Sequence, residues 1–119
     1  MTALLLAQVV YATVGVAYNV VSLHAVRAGR QPLSQGSAAA GLAVMLAYGA
    51  SLSLGFAGLD VAYRAAMTLF IVVIGYAGLL VHLRRGPSEY YRSRSAWTAA
   101  VVINTAGLLL NLTALIVGP

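Results

Sequence analysis

Read for the order of its apolar and polar positions, the chain falls into four long apolar stretches: Ala3–Val26, Gly36–Gly58, Val61–Leu83 and Ala96–Val117. Each is long enough to cross a hydrocarbon core of roughly 30 Å, which takes about 20 helical residues. The polar residues inside them recur at helical intervals. Gln8, Tyr11, Gly15, Tyr18 and Ser22 form one stripe of the first stretch, with Asn19 at its border. Arg64, Thr68, Ile71, Gly75, Gly78 and His82 make a similar stripe in the third, and Asn104 and Asn111 stand two turns apart in the fourth. The second stretch carries a row of small residues, Gly36, Ala40, Ala43, Ala47, Ser51 and Gly55, of the kind that lets membrane helices approach closely. No stretch alternates with the period of two that barrel strands require. The predicted fold is therefore all-α: a polytopic membrane protein with four transmembrane helices, one bundle filling residues 1–119.

The connections, Arg27–Gln35, Leu59–Asp60 and Arg84–Ser95, are short and unequal in charge. Arg27, Arg30, Arg84, Arg85, Arg92 and Arg94 lie in or beside the first and third, whereas the middle turn offers Asp60, with Arg64 one helical turn inside. The positive-inside rule predicts cytoplasmic first and third loops and both termini outside. The first stretch lacks a basic leader and exceeds the apolar core of a signal peptide, so it is expected to be retained as a helix. Aligning Tyr18–Arg27 with Tyr76–Arg85 superposes a Tyr, a His and an Arg without gaps. That match suggests a tandem repeat of two-helix units, as in transporters built from parallel repeats.

Composition narrows the chemistry. The chain is 61% hydrophobic and 8% charged, against about 25% charged residues in soluble domains. It has no cysteine, which removes disulfides, thiolate metal sites and cysteine nucleophiles. The net charge of +5 is carried by arginines beside apolar segments, a placement that suits anionic lipid headgroups better than nucleic acid. Arg84, Arg85, Arg92 and Arg94 are accordingly read as a contact for lipid or a partner.

Arg64 is the one ionisable side chain well inside a stretch, and such residues are candidates for function. One reading pairs it with Asp60 one turn away, its guanidinium snorkelling to the headgroups. The other turns it inward beside Gln8 and Asn111 to bind an anion or a lipid phosphate. Asn19, Asn104 and Asn111 either hold helices together, at about 0.6 kcal/mol per hydrogen bond, or line a path for a polar substrate. The candidate substrate-binding set is thus Arg64, Gln8, Asn19, Asn104 and Asn111. His24 and His82 would lie at equal depth if the repeat holds, as two axial ligands of a haem must; two histidines are too few for a zinc site without acidic help. Tyr18, Tyr48 and Tyr76 are expected to pack with tethered hydroxyls, and Tyr90, Tyr91 and Trp97 to lie in the interfacial aromatic belt. The glycosylation-like Asn111-Leu112-Thr113 falls within a span. Ser93 is expected to cap the fourth helix.

No P-loop, His-Glu-x-x-His motif, nucleophile elbow or paired carboxylates occur, so neither a catalytic residue nor a resident metal is expected. The leading expectation is a small integral subunit or accessory protein packed against a larger membrane complex, without catalysis of its own. The alternative is a small homo-oligomeric transporter or channel for a small polar or anionic substrate. A bis-histidine b-type cytochrome comes third. The expected partners are the bilayer, anionic headgroups, and other membrane subunits or further copies of the chain.

Overall fold

Each apolar stretch forms one helix. The computed structural model describes residues 2–119, with α1 over Thr2–Arg27, α2 over Ala38–Phe56, α3 over Asp60–Arg85 and α4 over Arg94–Val117. All four are long and apolar enough to cross a membrane. Capping chemistry sets two of the starts: the hydroxyls of Ser37 and Ser93 accept the amides of Ala40 and Ala96, satisfying donors that the first turn leaves open. Gly58, at φ +70°, makes the tight turn from α2 to α3, a left-handed conformation for which glycine carries no steric cost.

The four helices form a ring in chain order. α1 packs along α2, α2 on α3, α3 on α4 and α4 back on α1, while the diagonal pairs stay apart. The molecule measures 44 × 26 × 20 Å, and its long axis matches a bilayer of about 40–45 Å including headgroups. Small residues bring α1 and α2 together: Gly15 lies against Met45, Gly41 against Asn19 and Gly49 against Ala12. Of the row of small residues expected to do this, Ala43 and Ala47 are exposed, whereas Gly36 and Ala40 line a cavity and Gly55 is buried against Leu5 and Tyr63.

Residues Ile74–Leu80 of α3 are wound as a π-helix between α-helical Asp60–Val73 and Val81–Arg85. The wider turn delays the helix phase by about one residue. Before it the buried face is Tyr63, Met67, Phe70 and Ile74; beyond it Gly78 and His82 turn toward the bundle as cavity-lining residues. The expected stripe through Arg64 and Thr68 is therefore displaced in the first half of the helix. Thr68 is exposed and returns its hydroxyl to the carbonyl of Arg64, which spares it the need for an interhelical partner.

The two arginine-bearing loops share one end and are stitched together. Gln35 N–H donates to the Tyr90 carbonyl at 3.0 Å and Arg92 N–H to the Leu33 carbonyl at 3.1 Å, around an antiparallel bridge between Ser34 and Tyr91. The Arg92 guanidinium donates to the Gln31 carbonyl, and the side chains of Gln31 and Gln35 donate to the Glu89 carbonyl. Tyr91 is buried there with Ala96 and Ala100, and the position is a structural keystone rather than an interfacial belt site. Burial pushes its phenol up to about 12, with Tyr90 and Tyr18 adding to the effect and Arg85 opposing it.

Candidate functional site

Gln8 sits one stripe position before Tyr11 on the inward face of α1, and both Gln8 and Asn111 are fully buried. An amide in an apolar bundle must find partners, and these two find each other: Gln8 Nε2 donates to Asn111 Oδ1 at 3.2 Å. Tyr48 of α2 donates its hydroxyl to the same oxygen at 2.8 Å, and Tyr63 of α3 donates to Gln8 Oε1 at 2.6 Å. The sulfur of Met67 lies 3.2 Å from Gln8 Nε2. All four helices thus contribute to one buried knot. It lies toward the Asp60 end, among the aromatic rings of Tyr11, Tyr48 and Phe70, which meet edge to face at 5.0–5.1 Å. Two buried polar atoms remain without a partner among the described residues, Tyr11 Oη and Asn111 Nδ2.

Toward the arginine end the bundle opens into a cavity of about 310 Å³. Tyr11, Met45 and Ile74 line it, and all three belong to the buried core that surrounds the knot. Ser34 and Tyr90 of the stitched loops line it as well. Its middle holds Asn19 and Asn104. Each amide nitrogen donates to a carbonyl of its own helix, Asn19 to Gly15 at 2.8 Å and Asn104 to Ala100 at 2.7 Å. Each amide oxygen lies on a glycine of the neighbouring helix. A methyl at Gly41 would meet Asn19 Oδ1 at 2.1 Å, and one at Gly78 would meet Asn104 Oδ1 at 2.0 Å. The α1–α2 pair and the α3–α4 pair therefore carry the same asparagine-on-glycine contact, with the cavity between them.

The sequence-predicted residues divide accordingly. Gln8 and Asn111 are joined in the knot, and Asn19 and Asn104 face the cavity. Arg64 joins neither. Its guanidinium donates to the carbonyl of Leu115 in the last turn of α4, where a cation satisfies an open acceptor and complements the helix dipole. Asp60 is exposed and makes no ion pair with it among the described residues. His82 borders the cavity with its Nδ1 on the hydroxyl of Tyr91, whereas His24 is exposed and outside the cavity lining. The two copies of the suggested repeat also differ at tyrosine: Tyr18 donates to the Ala96 carbonyl at 3.1 Å, while Tyr76 is 64% exposed and does not pack as expected. Arg85 lies 3.8 Å over the Tyr90 ring, and Arg84, Arg85, Arg92 and Arg94 are all exposed. No cluster of three or more acidic, histidine or cysteine side chains able to hold a metal occurs among the described residues.

Tyr48, Tyr63, Gly41 and Gly78 complete the site and were not among the expected site residues. Tyr63 carried a signal, being spaced with Met67, Phe70 and Ile74 as one helix face. Gly78 lay on the stripe of the third stretch, whereas Gly41 carried no signal, because its role depends on which asparagine crosses it.

Fold and site together define an all-α, four-helix membrane protein with a cavity between its helices. Comparison with protein-family models, curated proteins and solved structures finds no match for this chain.

Proposed function

We propose that the protein is a membrane carrier for a small molecule, held in the cavity between Asn19 and Asn104. The observation that supports this is the asymmetry of the interior. One half is hollow and lined by asparagine, serine and tyrosine; the other is closed by Tyr11 and the Gln8–Asn111 knot. Membrane carriers hold substrate near mid-depth beside helices whose regular winding is broken, and the π-helical part of α3 borders this cavity. By the arginine distribution the stitched loops are cytoplasmic and the termini outside. Native mass spectrometry of protein extracted gently from its host tests the proposal. A bound small-molecule mass, lost in Asn104→Leu, is the expected result. A cavity occupied identically in wild type and Asn104→Leu, or never occupied, would count against it.

A second reading, an accessory subunit or self-associating protein, draws support from α2. Its row of small residues is exposed outside the cavity at Ala43 and Ala47, leaving a face on which another helix can pack closely. The same spectra distinguish it, since a larger assembly without a bound molecule would favour this reading.

A further inference from the structure

We infer that the molecule taken into the cavity is an uncharged amphiphile that enters sideways from the bilayer, between α2 and α3. This rests on the carrier reading and adds to it the ligand class and the route.

The route follows from which walls are closed. Loop residues Ser34 and Tyr90 line the cavity at the arginine end, and their segments are tied by the Gln35–Tyr90 and Arg92–Leu33 hydrogen bonds. At the other end stand Tyr11, Met45 and Ile74. α1 packs against both α2 and α4, and α4 packs along the π-helical part of α3. The remaining side is open. The backbone of α2 approaches α3 only along Asp60–Val73, and no Cα of α2 comes within 8 Å of one in Ile74–Arg85. The edges of that gap are Ala40, Gly41 and Val44 on one helix and Ala77, Gly78 and Val81 on the other, all of which line the cavity. In a bilayer such a gap opens on acyl chains, and small apolar edges leave it passable.

The ligand class follows from the lining. No Asp, Glu, Lys or Arg borders the cavity. Two cations at the loop end are already engaged, Arg85 over the Tyr90 ring and Arg92 on the Gln31 carbonyl. A charged ligand would lose its hydration with no countercharge to meet it, at a cost of several kcal/mol. An uncharged polar group is provided for. The amides of Asn19 and Asn104 stand on opposite walls and supply donors and acceptors. About 310 Å³ is near the lower limit of small-molecule pockets, so the ligand is small: an apolar body with one hydroxyl, carbonyl or amide group.

Trp97, the single tryptophan, reports on this site. Its indole donates to the carbonyl of His82, whose side chain lines the cavity. In lipid nanodiscs, bromo-octanol should quench Trp97 fluorescence saturably, at concentrations at least tenfold below those needed for bromo-octanoate or a bromo-octyl trimethylammonium ion. Ala77→Phe, a substitution at an exposed edge of the gap, should abolish the saturable component, and Asn19→Leu, which removes a polar group from the lining, should weaken it several-fold. Equal or tighter quenching by either ion would overturn the uncharged class while leaving the cavity a binding site. Quenching by bromo-octanol that is unchanged in Ala77→Phe would mean that the quencher acts from the surrounding lipid, and the route fails. Absence of saturable quenching by any of the three would overturn this inference; the bound-mass experiment then decides the carrier reading on its own.

Discussion

The ring of Tyr11 lies directly on the backbone of Gly107, one helix across: a methyl group at 107 would come within 2.3–2.6 Å of two ring carbons and the hydroxyl oxygen. Tyr11 cannot easily yield, because its other face meets Tyr48 edge-on at 5.1 Å. Overpacking of this kind costs about 1–3 kcal/mol. Gly107→Ala is therefore expected to lower the unfolding midpoint in detergent clearly. Gly49→Ala, where the added methyl meets only Ala12 at 3.8 Å, should leave it nearly unchanged. Equal effects would show that Tyr11 is free to move away.

Removing either amide of the knot strands its partners. Asn111→Leu leaves Gln8 Nε2 and the Tyr48 hydroxyl without their acceptor, and Gln8→Leu leaves the Tyr63 hydroxyl without its own. Each change should cost about 1–3 kcal/mol. The double variant should cost less than the sum, with a coupling on the order of 0.6–1.7 kcal/mol. Strictly additive effects in a double-mutant cycle would show that the two side chains do not interact.

Arg64 and Asp60 separate two accounts of the same end of the bundle. With the guanidinium on the Leu115 carbonyl, Arg64→Gln should destabilise by about 1 kcal/mol and loosen the end of α4. Asp60→Asn should change stability by less than about 0.5 kcal/mol, as exposed substitutions usually do. Hydrogen exchange at residues 114–118 reads the first effect locally. A loss of equal size in Asp60→Asn would restore the ion pair as the main interaction.

The stitched loops should respond to strong alkali. The Tyr91 phenol titrates at about 12 in the folded protein against 10.0 ordinarily, principally because it is buried. A raised phenol pKa means that folding favours the protonated form. Its contribution is complete below pH 10 and is lost as the pH rises toward 12. Ionisation also removes the hydroxyl hydrogen shared with His82. Loop protection measured by hydrogen exchange should thus hold to about pH 10 and fall above it. Tyr91→Phe should show weaker protection throughout and lack the added step.

The stripe from Gln8 to Ser22 was legible in the sequence because α1 is regular from end to end, so spacing translates directly into facing. On α3 the same reasoning selected Arg64 and Thr68, and the bundle instead buried Tyr63 and Met67. Thr68 satisfies its hydroxyl within its own helix, and the π-helical turn shifts the phase only afterwards. On α2 the small residues were legible, but the face they would present was not. Gly41 and Gly49 took the packing role, and Ala43 and Ala47 were left outside.

By itself the sequence determined that this is a four-helix membrane protein, where its helices start and stop, and that its arginine-bearing loops share one end. Those properties are set by segment length, hydropathy and local capping, which act over a few neighbouring residues. Tertiary structure alone decided that Gln8 joins Asn111, that Arg64 closes the end of α4, and that Asn19 and Asn104 flank a cavity open between α2 and α3. Each depends on which helices adjoin and how far two of them diverge, and that is settled only when distant polar groups compete for the few partners a bundle interior offers.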